Sequence, residues 1–400
     1  MNPVNKGPAK FYELFKVPKS FEPGDIPPER PIVSCNGSIT ENIGKFVQNF
    51  LKEVSNTHSS FVQDSPDFLR CLEADLNDQD VIEDDDIIVT VDVKSLYTNV
   101  PISESLILCR EALDQTDNKP ELNDFIIKLL ELVMSLNIFE FNGELFKQEI
   151  GLAMGQKPAP DVANIVMAAV DVLIKNLAKE SFTTTMTLKF YKRFLDDIFM
   201  VVRGKCSVLH DFLKKVNLLH PTLKFTMEHT KTENNCDCEC KPLTKIPFLD
   251  TQCQIEEGKM IVDLYRKPTD RNMYLLTSSC HPSQVCENIP YSLALRIVRI
   301  CSKPEDRDKR LDELKQLLLN RDYKLNIINS AISKAKNIPR SEALKRVVKP
   351  PTNRPIFPVT HHPSLPSIPK IVNKHFRTLV QNPHMADTFK DKPMVAYRRH

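Results

Sequence analysis

Two apolar stretches that flank a pair of adjacent carboxylates constrain this chain more than any other feature of its sequence. Residues 188–194 and residues 198–202 are rich in apolar and aromatic residues, and Leu195, Asp196 and Asp197 lie between them. This pattern is typical of a hairpin whose strands enter a core while the turn presents both carboxylates. An isolated Asp-Asp pair is most often a simple polar turn, so a functional interpretation needs a further acid.

A third carboxylate, Asp92, ends another apolar run. Residues 87–91 are Ile-Ile-Val-Thr-Val, and the acidic segment 73–86 before them is predicted to be a surface loop. The β-branched run predicts a buried strand that delivers Asp92 at its C-terminal end. Where Asp92 meets the Asp196–Asp197 pair, hard oxygen ligands suited to Mg²⁺ gather at one point. Two such ions about 4 Å apart stabilise both ends of a phosphoryl displacement, so the three aspartates predict nucleotidyl transfer.

The remaining periodicity predicts an α+β chain. The predicted helices cover 41–72, 121–137, 161–178 with Asp161 as N-cap, and 207–219. The predicted strands are a hairpin over 139–147 with Asn142-Gly143 at its turn, and the segments 223–228, 246–251 and 259–265. From about residue 283 helices dominate, one of them opened by a capping box over 302–305, whereas residues 340–400 are proline-rich with little periodicity.

Composition favours a reduced, globular protein. Hydrophobic residues make up 41% of the sequence, and no stretch approaches the roughly 18 apolar residues of a membrane span. The 11 cysteines have no framework spacing, which indicates an intracellular protein. Cys236, Cys238 and Cys240 lack the spacing of zinc pairs, so exposed thiols are favoured over a metal site. Residues 334–400 carry 14 Lys and Arg against three Asp and Glu, which suits either a phosphate backbone or a solvated tail.

Five short motifs follow one another in a fixed order. They are Val-Asp-Val-Lys-Ser-Leu-Tyr-Thr-Asn-Val-Pro at 91–101, Gly-Leu-Ala-Met-Gly at 151–155 with Pro160, Phe-Leu-Asp-Asp at 194–197, Pro-Phe-Leu-Asp at 247–250, and Leu-Tyr-Arg-Lys-Pro-Thr at 264–269. Together they resemble the reverse-transcriptase domain of Penelope-like retroelements, which are related to telomerase reverse transcriptase, over about residues 10–336. The resemblance implies a right-hand polymerase fold, with an antiparallel palm sheet backed by helices, and RNA-templated DNA synthesis.

The resemblance also implies roles for individual residues. The ligands of two Mg²⁺ ions, or of Mn²⁺, would be Asp92, Asp196, Asp197 and the carbonyl of Val93, with Lys224 as a proton donor to pyrophosphate. The residues around the incoming nucleotide would be Arg30 on the triphosphate, Tyr97 as the steric gate beneath the sugar, and Met154 and Gly155 in the loop against the base. The contacts to nucleic acid would be Phe248 and Leu249 in the primer-grip region and Arg296 and Arg299 on a basic helical face. The implied partners are an RNA template, a DNA or RNA primer and dNTPs, in the nucleus and without a membrane.

Ordinary structural interpretations stay open beside these roles. The spacing alone also fits Tyr97 as an aromatic core residue, Arg30 as a surface arginine before proline, and residues 283–336 as a plain helical subdomain. Phe194 stands where the family usually has tyrosine, which we expect to tune activity because both metal ligands remain.

Four segments are expected along the chain. They are partial fingers over 1–72, the palm over 73–282, a helical thumb of helix-turn-helix character over 283–338, and a proline-rich basic connector over 339–400 that stops before the nuclease domain of most animal members. Two other functions remain open, a nucleic-acid-binding relic without turnover and an RNA-dependent RNA polymerase with the same palm. Primer extension tests the first, and selectivity for the sugar tests the second.

Overall fold

The computed structural model describes residues 7–15, 24, 27–77, 82–181, 186–230, 243–347, 354–386 and 389–398. Contacts between Cα atoms divide the chain into two compact units, Met1–Tyr265 and Arg266–His400. The segment with Cys236, Cys238 and Cys240 lies outside the described residues. Among the helices that are described, none is long and apolar enough to cross a membrane.

The first unit mixes short strands with helices. Its strands are β1 (Ala9–Phe15), β2 (Glu29–Ser34), β3 (Ile87–Val93), β4 (Ile138–Phe141), β5 (Glu144–Lys147), β6 (Thr187–Phe194), β7 (Asp197–Arg203), β8 (Phe225–His229), β9 (Ile246–Phe248), β10 (Thr251–Glu256) and β11 (Lys259–Leu264). Its helices are α1 (Glu41–Ser55), α2 (Ser65–Leu72), α3 (Leu96–Asn99), α4 (Ile102–Asp114), α5 (Pro120–Ser135), α6 (Ala159–Ser181) and α7 (Cys206–Val216).

A central antiparallel sheet organises this unit. In the described part of the chain its strand order is β6-β7-β3-β8. Successive side chains of a strand point to opposite faces, and Val89, Val91 and Val93 of β3 share one buried face with Ile198 and Met200 of β7. This face packs against the apolar sides of α1, α4, α5, α6 and α7. The antiparallel sheet backed by helices that the sequence predicts is therefore present.

The opposite face of the central sheet carries an aromatic cluster. The ring of Phe199 in β7 lies 4.8 Å from Phe68 of α2, 6.0 Å from Phe190 of β6 and 5.2 Å from Phe248 of β9, measured between centroids. Asp64 starts α2 as its N-cap and accepts a hydrogen bond of 2.8 Å from an amide in the first turn. The cluster thus fixes α2 and β9 on the face that the helical layer leaves uncovered.

A second sheet joins distant parts of the sequence. Its order within the described residues is β2-β1-β4-β5, with β1 antiparallel to β2 and parallel to β4. Asn142 and Gly143 have φ values of +51° and +83°, as a two-residue hairpin turn of this composition requires, so the predicted hairpin is confirmed. Phe11 of β1 stacks on Phe139 of β4 at 5.2 Å. The N-terminal strands and the hairpin therefore form one substructure, although the sequence pattern assigned them to fingers and palm separately.

Several element boundaries differ from the prediction. The single helix expected over 41–72 is two helices, α1 and α2, and strand β10 was not expected as a separate element. The acidic segment begins with a π-helical turn, Glu73–Asn77, instead of a loop. Helix α6 begins at Ala159, so Asp161 lies inside it and not at its N-cap, and its carboxylate accepts hydrogen bonds from Gln48 at 3.0 Å and Ser55 at 2.8 Å. The contacts of Asp161 show how a partner distant in sequence overrides a local capping signal.

The second unit is largely helical. Its elements are α8 (Ser283–Ile300), α9 (Pro304–Leu319), α10 (Leu325–Lys336), α11 (Arg340–Leu344), β12 (Ile356–Val359), α12 (Ile368–Val380), α13 (Pro383–Ala386) and β13 (Met394–Tyr397). Helix α8 packs against α9, α10 and α11, and Leu311, Leu314 and Leu318 form the buried side of α9. The predicted capping box is wrong, since the N-cap of α9 is Lys303 without a side-chain cap. Strands β12 and β13 pair in parallel, so residues 340–400 have more regular structure than predicted.

We expect Phe68 to be a costly residue to truncate in the aromatic cluster. Its side chain is 0% exposed, so Phe68→Ala should lower the free energy of unfolding by about 3–5 kcal/mol through lost burial and a cavity. Phe125, which is 52% exposed on α5, serves as the control, and Phe125→Ala should change stability by less than about 1 kcal/mol. Urea unfolding of the purified chain measures both, and equal losses would contradict this assignment.

Candidate active site

The pairing of β3 with β7 brings two of the predicted acids together. Asp92 lies directly opposite Asp197 in this register, and Thr90 lies opposite Phe199. Opposed residues of an antiparallel pair have Cβ atoms about 4.5–5.5 Å apart and point to the same face. Asp92 is exposed and Asp197 is half-buried. Both carboxylates therefore occupy the face of the sheet that carries the aromatic cluster, two residue pairs beyond Phe199 along the ladder.

Asp196 lies in the two-residue turn that joins β6 to β7. The amide of Val93 donates a hydrogen bond of 3.2 Å to the carbonyl of Asp196, which ties this turn to the end of β3. Leu195, the other turn residue, has φ +52°. A non-glycine residue in such a conformation costs of order 1–3 kcal/mol, and the surrounding structure must hold it there. The three aspartates are thus connected through paired backbone and a strained turn.

The carboxylate oxygens of the three aspartates are suitable ligands for a divalent cation, although the side chains do not yet converge on one point. Among the described residues, no group of three His, Cys, Asp or Glu side chains stands ready to hold a metal ion. The backbone register nevertheless places Asp92 opposite Asp197. A carboxylate reorients by rotation about two bonds whereas paired strands do not, so the register keeps these two acids opposite each other. Opposed like charges repel, and a shared cation relieves that repulsion, so these residues fit a metal ion bound by oxygen ligands.

A buried arginine that sequence patterns did not single out supports the turn. The guanidinium of Arg193 is 0% exposed. Its Nε donates to both oxygens of Asp171 at 3.0 and 2.9 Å, and its Nη1 donates to the side chain of Asn164 at 2.7 Å and to the carbonyl of Leu195 at 2.8 Å. Strand alternation was the available signal, because it places Arg193 on the same face as the buried Tyr191.

Asp171 is the centre of this buried network. It accepts a hydrogen bond of 2.7 Å from the hydroxyl of Tyr191, and the Nδ1 of His58 lies 3.6 Å from its second oxygen. Burial lowers the pKa of His58 by more than the charge of Asp171 raises it, so the imidazole is neutral at neutral pH. The positive charge that balances Asp171 is therefore that of Arg193.

Tyr97 lies beside the acids. It belongs to α3, which follows β3 after a short turn, and its ring is half-buried. Burial raises the pKa of Tyr97 to about 12, with the negative charges of Asp196 and Asp161 acting in the same direction. The phenol is therefore neutral at neutral pH and close enough to Asp196 to respond to its charge. The ring also packs against the main hydrophobic core, so both the role at the nucleotide and the role in packing stay open for Tyr97.

The loop over 151–155 packs tightly against α3. Gly151 has φ +75°, and a Cβ atom there would lie 2.5 Å from the carbonyl oxygen of Thr98. The amide of Leu152 donates to the carbonyl of Tyr97 at 2.6 Å. Only glycine allows this approach of two backbones, so the loop and the segment that carries Tyr97 are fixed to each other.

The far end of the same loop packs against β2. Gly155 has φ +131°, and a Cβ atom there would lie 2.3 Å from the carbonyl oxygen of Val33. The amide of Val33 donates to the carbonyl of Met154 at 2.9 Å. Arg30 lies on β2 three residues before Val33, with an exposed side chain. The structure thus connects the predicted nucleotide-binding residues Arg30, Tyr97, Met154 and Gly155 through one loop.

The backbone of Lys224 is hydrogen-bonded to the segment that follows Asp92. Its carbonyl accepts a hydrogen bond of 2.8 Å from the amide of Lys94, two residues after Asp92. Its amine donates to the carbonyl of Asn217 at 3.0 Å. A role as proton donor stays a prediction, and it requires the amine to leave this carbonyl.

The predicted nucleic-acid contacts differ in their surroundings. The ring of Phe248 is buried against Phe68 and Phe199, so it supports the β9–β10 turn from below and is not available to a primer. Leu249 occupies that turn with φ +56° and is half-buried, so a primer contact stays a prediction for this residue. In the second unit Arg296 is exposed on α8, whereas Arg299 donates to the carbonyl of Ala343 at 2.7 Å.

Comparison with known proteins identifies the class to which this fold and site belong. The model of the reverse transcriptase (RNA-dependent DNA polymerase) family matches residues 24–262, and the model of the animal helix-turn-helix domain matches residues 273–333. The first match includes all three aspartates and more than half of the chain. The chain belongs to the reverse transcriptase family. No curated protein shows a significant sequence match to it.

One solved structure shows the fold, and two others match the chain less well. Telomerase from Candida albicans in complex with a fragment of telomeric RNA has 11% identity and a TM-score of 0.52, and the match covers 83% of this chain and 56% of that one. Telomerase from Candida tropicalis has 12% identity and a TM-score of 0.47, with 84% and 60% covered. The RNA-dependent RNA polymerase of a human picobirnavirus has 12% identity and a TM-score of 0.46, with 82% and 60% covered. The chain thus spans somewhat more than half the length of these structures. It has the right-hand polymerase fold, as the sequence predicts.

Gly151 provides a test of the loop geometry. Gly151→Ala should lower the free energy of unfolding by more than about 3 kcal/mol, because backbone strain of about 1–3 kcal/mol adds to the clash with Thr98. Gly143 is a matched control, since it also has positive φ but no other atom lies within 4 Å of where a Cβ would stand. Gly143→Ala should cost only about 1–2 kcal/mol. Thermal unfolding compares the two, and a Gly151→Ala loss no larger than the control would refute the close packing.

Proposed function

We propose that this chain is the RNA-directed DNA polymerase of a Penelope-like retroelement, which adds dNTPs to a primer 3′-hydroxyl. One observation carries the proposal: Asp92 faces Asp197 across paired strands while Asp196 is tied to the end of β3. Family membership supports polymerase chemistry, and the helix-turn-helix match over 273–333 is compatible with this subfamily. A nuclear site of action, which the resemblance implies, belongs to the same proposal.

The metal ligands in this proposal are Asp92, Asp196, Asp197 and the carbonyl of Val93. Bound Mg²⁺, or Mn²⁺, would supply positive charge that stabilises the attacking oxygen and the departing pyrophosphate. The residues themselves provide hard oxygen donors on one face of a rigid sheet, and the buried cores on both sides of the sheet limit their movement. Positioning of the two reactants supplies much of the remaining acceleration in phosphoryl transfer.

Nucleotide selection in this proposal depends on Tyr97 and the loop that holds it. The Leu152 amide holds the backbone of Tyr97 through its carbonyl, and the half-buried ring on this segment can exclude a ribose 2′-hydroxyl by contact. Its neutral phenol adds no charge at neutral pH. Arg30 is an exposed guanidinium on β2, and such a group suits the oxygens of a triphosphate. The template and primer are the proposed partners of Leu249 and of the basic residues of α8, such as Arg296.

The activity itself is tested by primer extension on an RNA template with Mg²⁺. Asp196→Asn should reduce the rate about a thousandfold or more, which corresponds to about 4 kcal/mol of lost stabilisation. Asp117→Asn, at an exposed carboxylate in the α4–α5 connection, is the matched control and should keep the wild-type rate. A wild-type chain that binds template–primer tightly without extending it would be a nucleic-acid-binding relic, and the polymerase proposal would fail.

Sugar discrimination is tested at Tyr97. Tyr97→Ala should raise the incorporation of rNTPs relative to dNTPs by about tenfold or more, because a bulky group no longer opposes the 2′-hydroxyl. Tyr97→Phe keeps the ring and should keep the wild-type preference. Single-nucleotide extension with each substrate gives the ratio. An unchanged ratio in Tyr97→Ala would remove the gate assignment, and a wild-type preference for rNTPs would indicate an RNA polymerase.

A further inference from the structure

The ion pair behind the carboxylate turn is unusual in its surroundings. Arg193 and Asp171 are both 0% exposed. Removing two charges from water costs about as much as their attraction returns, so an apolar pair of similar volume would serve a core at least as well. The buried Arg193–Asp171 pair therefore indicates that the neighbouring structure needs the specific geometry that these side chains impose.

The contacts of Arg193 show which geometry it fixes. Its Nη1 reaches forward to the carbonyl of Leu195 at 2.8 Å, and this carbonyl belongs to the peptide group that continues into Asp196. Behind the turn, Asp171 holds Nε with both oxygens and Asn164 accepts from Nη1 at 2.7 Å. The guanidinium is thus oriented by two residues of α6 and transmits that orientation to the turn.

The backbone of Arg193 is fixed as well. Its amide donates to the carbonyl of Ser60 at 2.7 Å, and its carbonyl accepts from the amide of Val62 at 2.9 Å. The residue therefore cannot follow the turn if Leu195 relaxes from its φ of +52°. One rigid anchor, held by main chain and side chain together, lies directly behind a strained turn that bears two carboxylates.

We propose that Arg193, oriented by Asp171, is a positioning residue that locks the Leu195–Asp196 peptide so that Asp196 and Asp197 share a divalent cation with Asp92. This inference deepens the proposed function and rests on it for the identity of the metal ligands. This positioning role requires the planar guanidinium of arginine, because its nitrogens bond Asp171 and the Leu195 carbonyl at the same time. A lysine has one ammonium group and cannot span both acceptors with this geometry.

Direct binding of Mn²⁺, measured as loss of the free-ion signal in electron paramagnetic resonance, tests the proposal without requiring turnover. Arg193→Lys should weaken Mn²⁺ binding about tenfold relative to the wild type, which is about 1.4 kcal/mol. Arg203→Lys is the matched control. Arg203 also bonds a buried carboxylate, with Nε and Nη2 on Asp86 at 2.8 and 3.1 Å, and it pairs with Glu83 as well. It lies at the opposite end of β7 from the turn. Its substitution should leave Mn²⁺ binding unchanged within about twofold.

A change at Leu195 separates positioning from general stability. Glycine adopts positive φ without strain, so in a Leu195→Gly background the Arg193→Lys effect on Mn²⁺ binding should shrink from about tenfold to about twofold. A purely structural role for Arg193 would give the same loss in both backgrounds, and that result would overturn the proposal. Near-ultraviolet circular dichroism establishes that each variant is folded.

Each remaining outcome has a defined meaning. A folded Arg193→Lys variant with wild-type Mn²⁺ affinity would overturn the proposal, as would an equal loss in Arg203→Lys. Where Arg193→Lys does not fold, Asp171→Asn takes its place and should weaken binding in the same way; loss of folding in both would assign the pair to stability and overturn the proposal. A wild-type chain whose Mn²⁺ binding depends on Asp196 and Arg193 but that extends no primer would refute the proposed function and leave this inference standing.

Discussion

The candidate site depends on one register, in which β3 pairs with β7 so that Asp92 faces Asp197. Strand side chains alternate between faces, so a slip of one residue would carry Asp92 to the helical side and bury a carboxylate among apolar groups. Burial on both faces opposes that slip. Val91 and Val93 belong to the helical side, whereas Ile88, also fully buried, belongs to the other. The apolar residues of β3 therefore set the position of its acid.

The two faces of the central sheet have different roles: one packs against helices, and the other carries the carboxylates. In the described part of the chain, helices that include α1, α4, α5, α6 and α7 cover one face, and the aromatic cluster around Phe68 and Phe199 covers part of the other. The cluster ends at Phe199, two residue pairs before the carboxylates along the ladder. The carboxylates therefore remain accessible while their strands are held from both sides. Groups that must bind a cation with definite geometry benefit from such a rigid base.

Flexibility is restricted in the loops around the site too. Gly151 and Gly155 bring the loop between them into backbone contact with α3 and β2, and Arg193 holds the turn from behind. Polar groups with no exposed surface are costly unless they are fully bonded. Arg193 and Asp171 meet that condition through partners drawn from α6, β6 and the turn itself. The local strain at Leu195 is thus compensated by contacts from distant parts of the chain.

Local sequence patterns were enough to locate the elements that carry chemistry. Alternating or continuous apolar runs identified β3, β6 and β7 and placed Asp92, Asp196 and Asp197 at their ends, because strand periodicity is a local property. The Asn142-Gly143 turn could also be predicted, since its backbone conformation depends on two adjacent residues. The ordered motifs indicated a reverse transcriptase of the Penelope-like kind, and the match over 24–262 confirmed the reverse transcriptase family.

The partners of these elements are visible only in the folded chain. No local pattern shows that β4 joins β1, that Asp161 is bonded by α1 instead of capping α6, or that Phe248 belongs to a core. The local sequence around Arg193 is that of an ordinary strand. Only the fold places Asp171, 22 positions earlier, beside its guanidinium. Such contacts join residues far apart in sequence, and their free energy depends on shared burial and on geometry that exists only once the chain has folded.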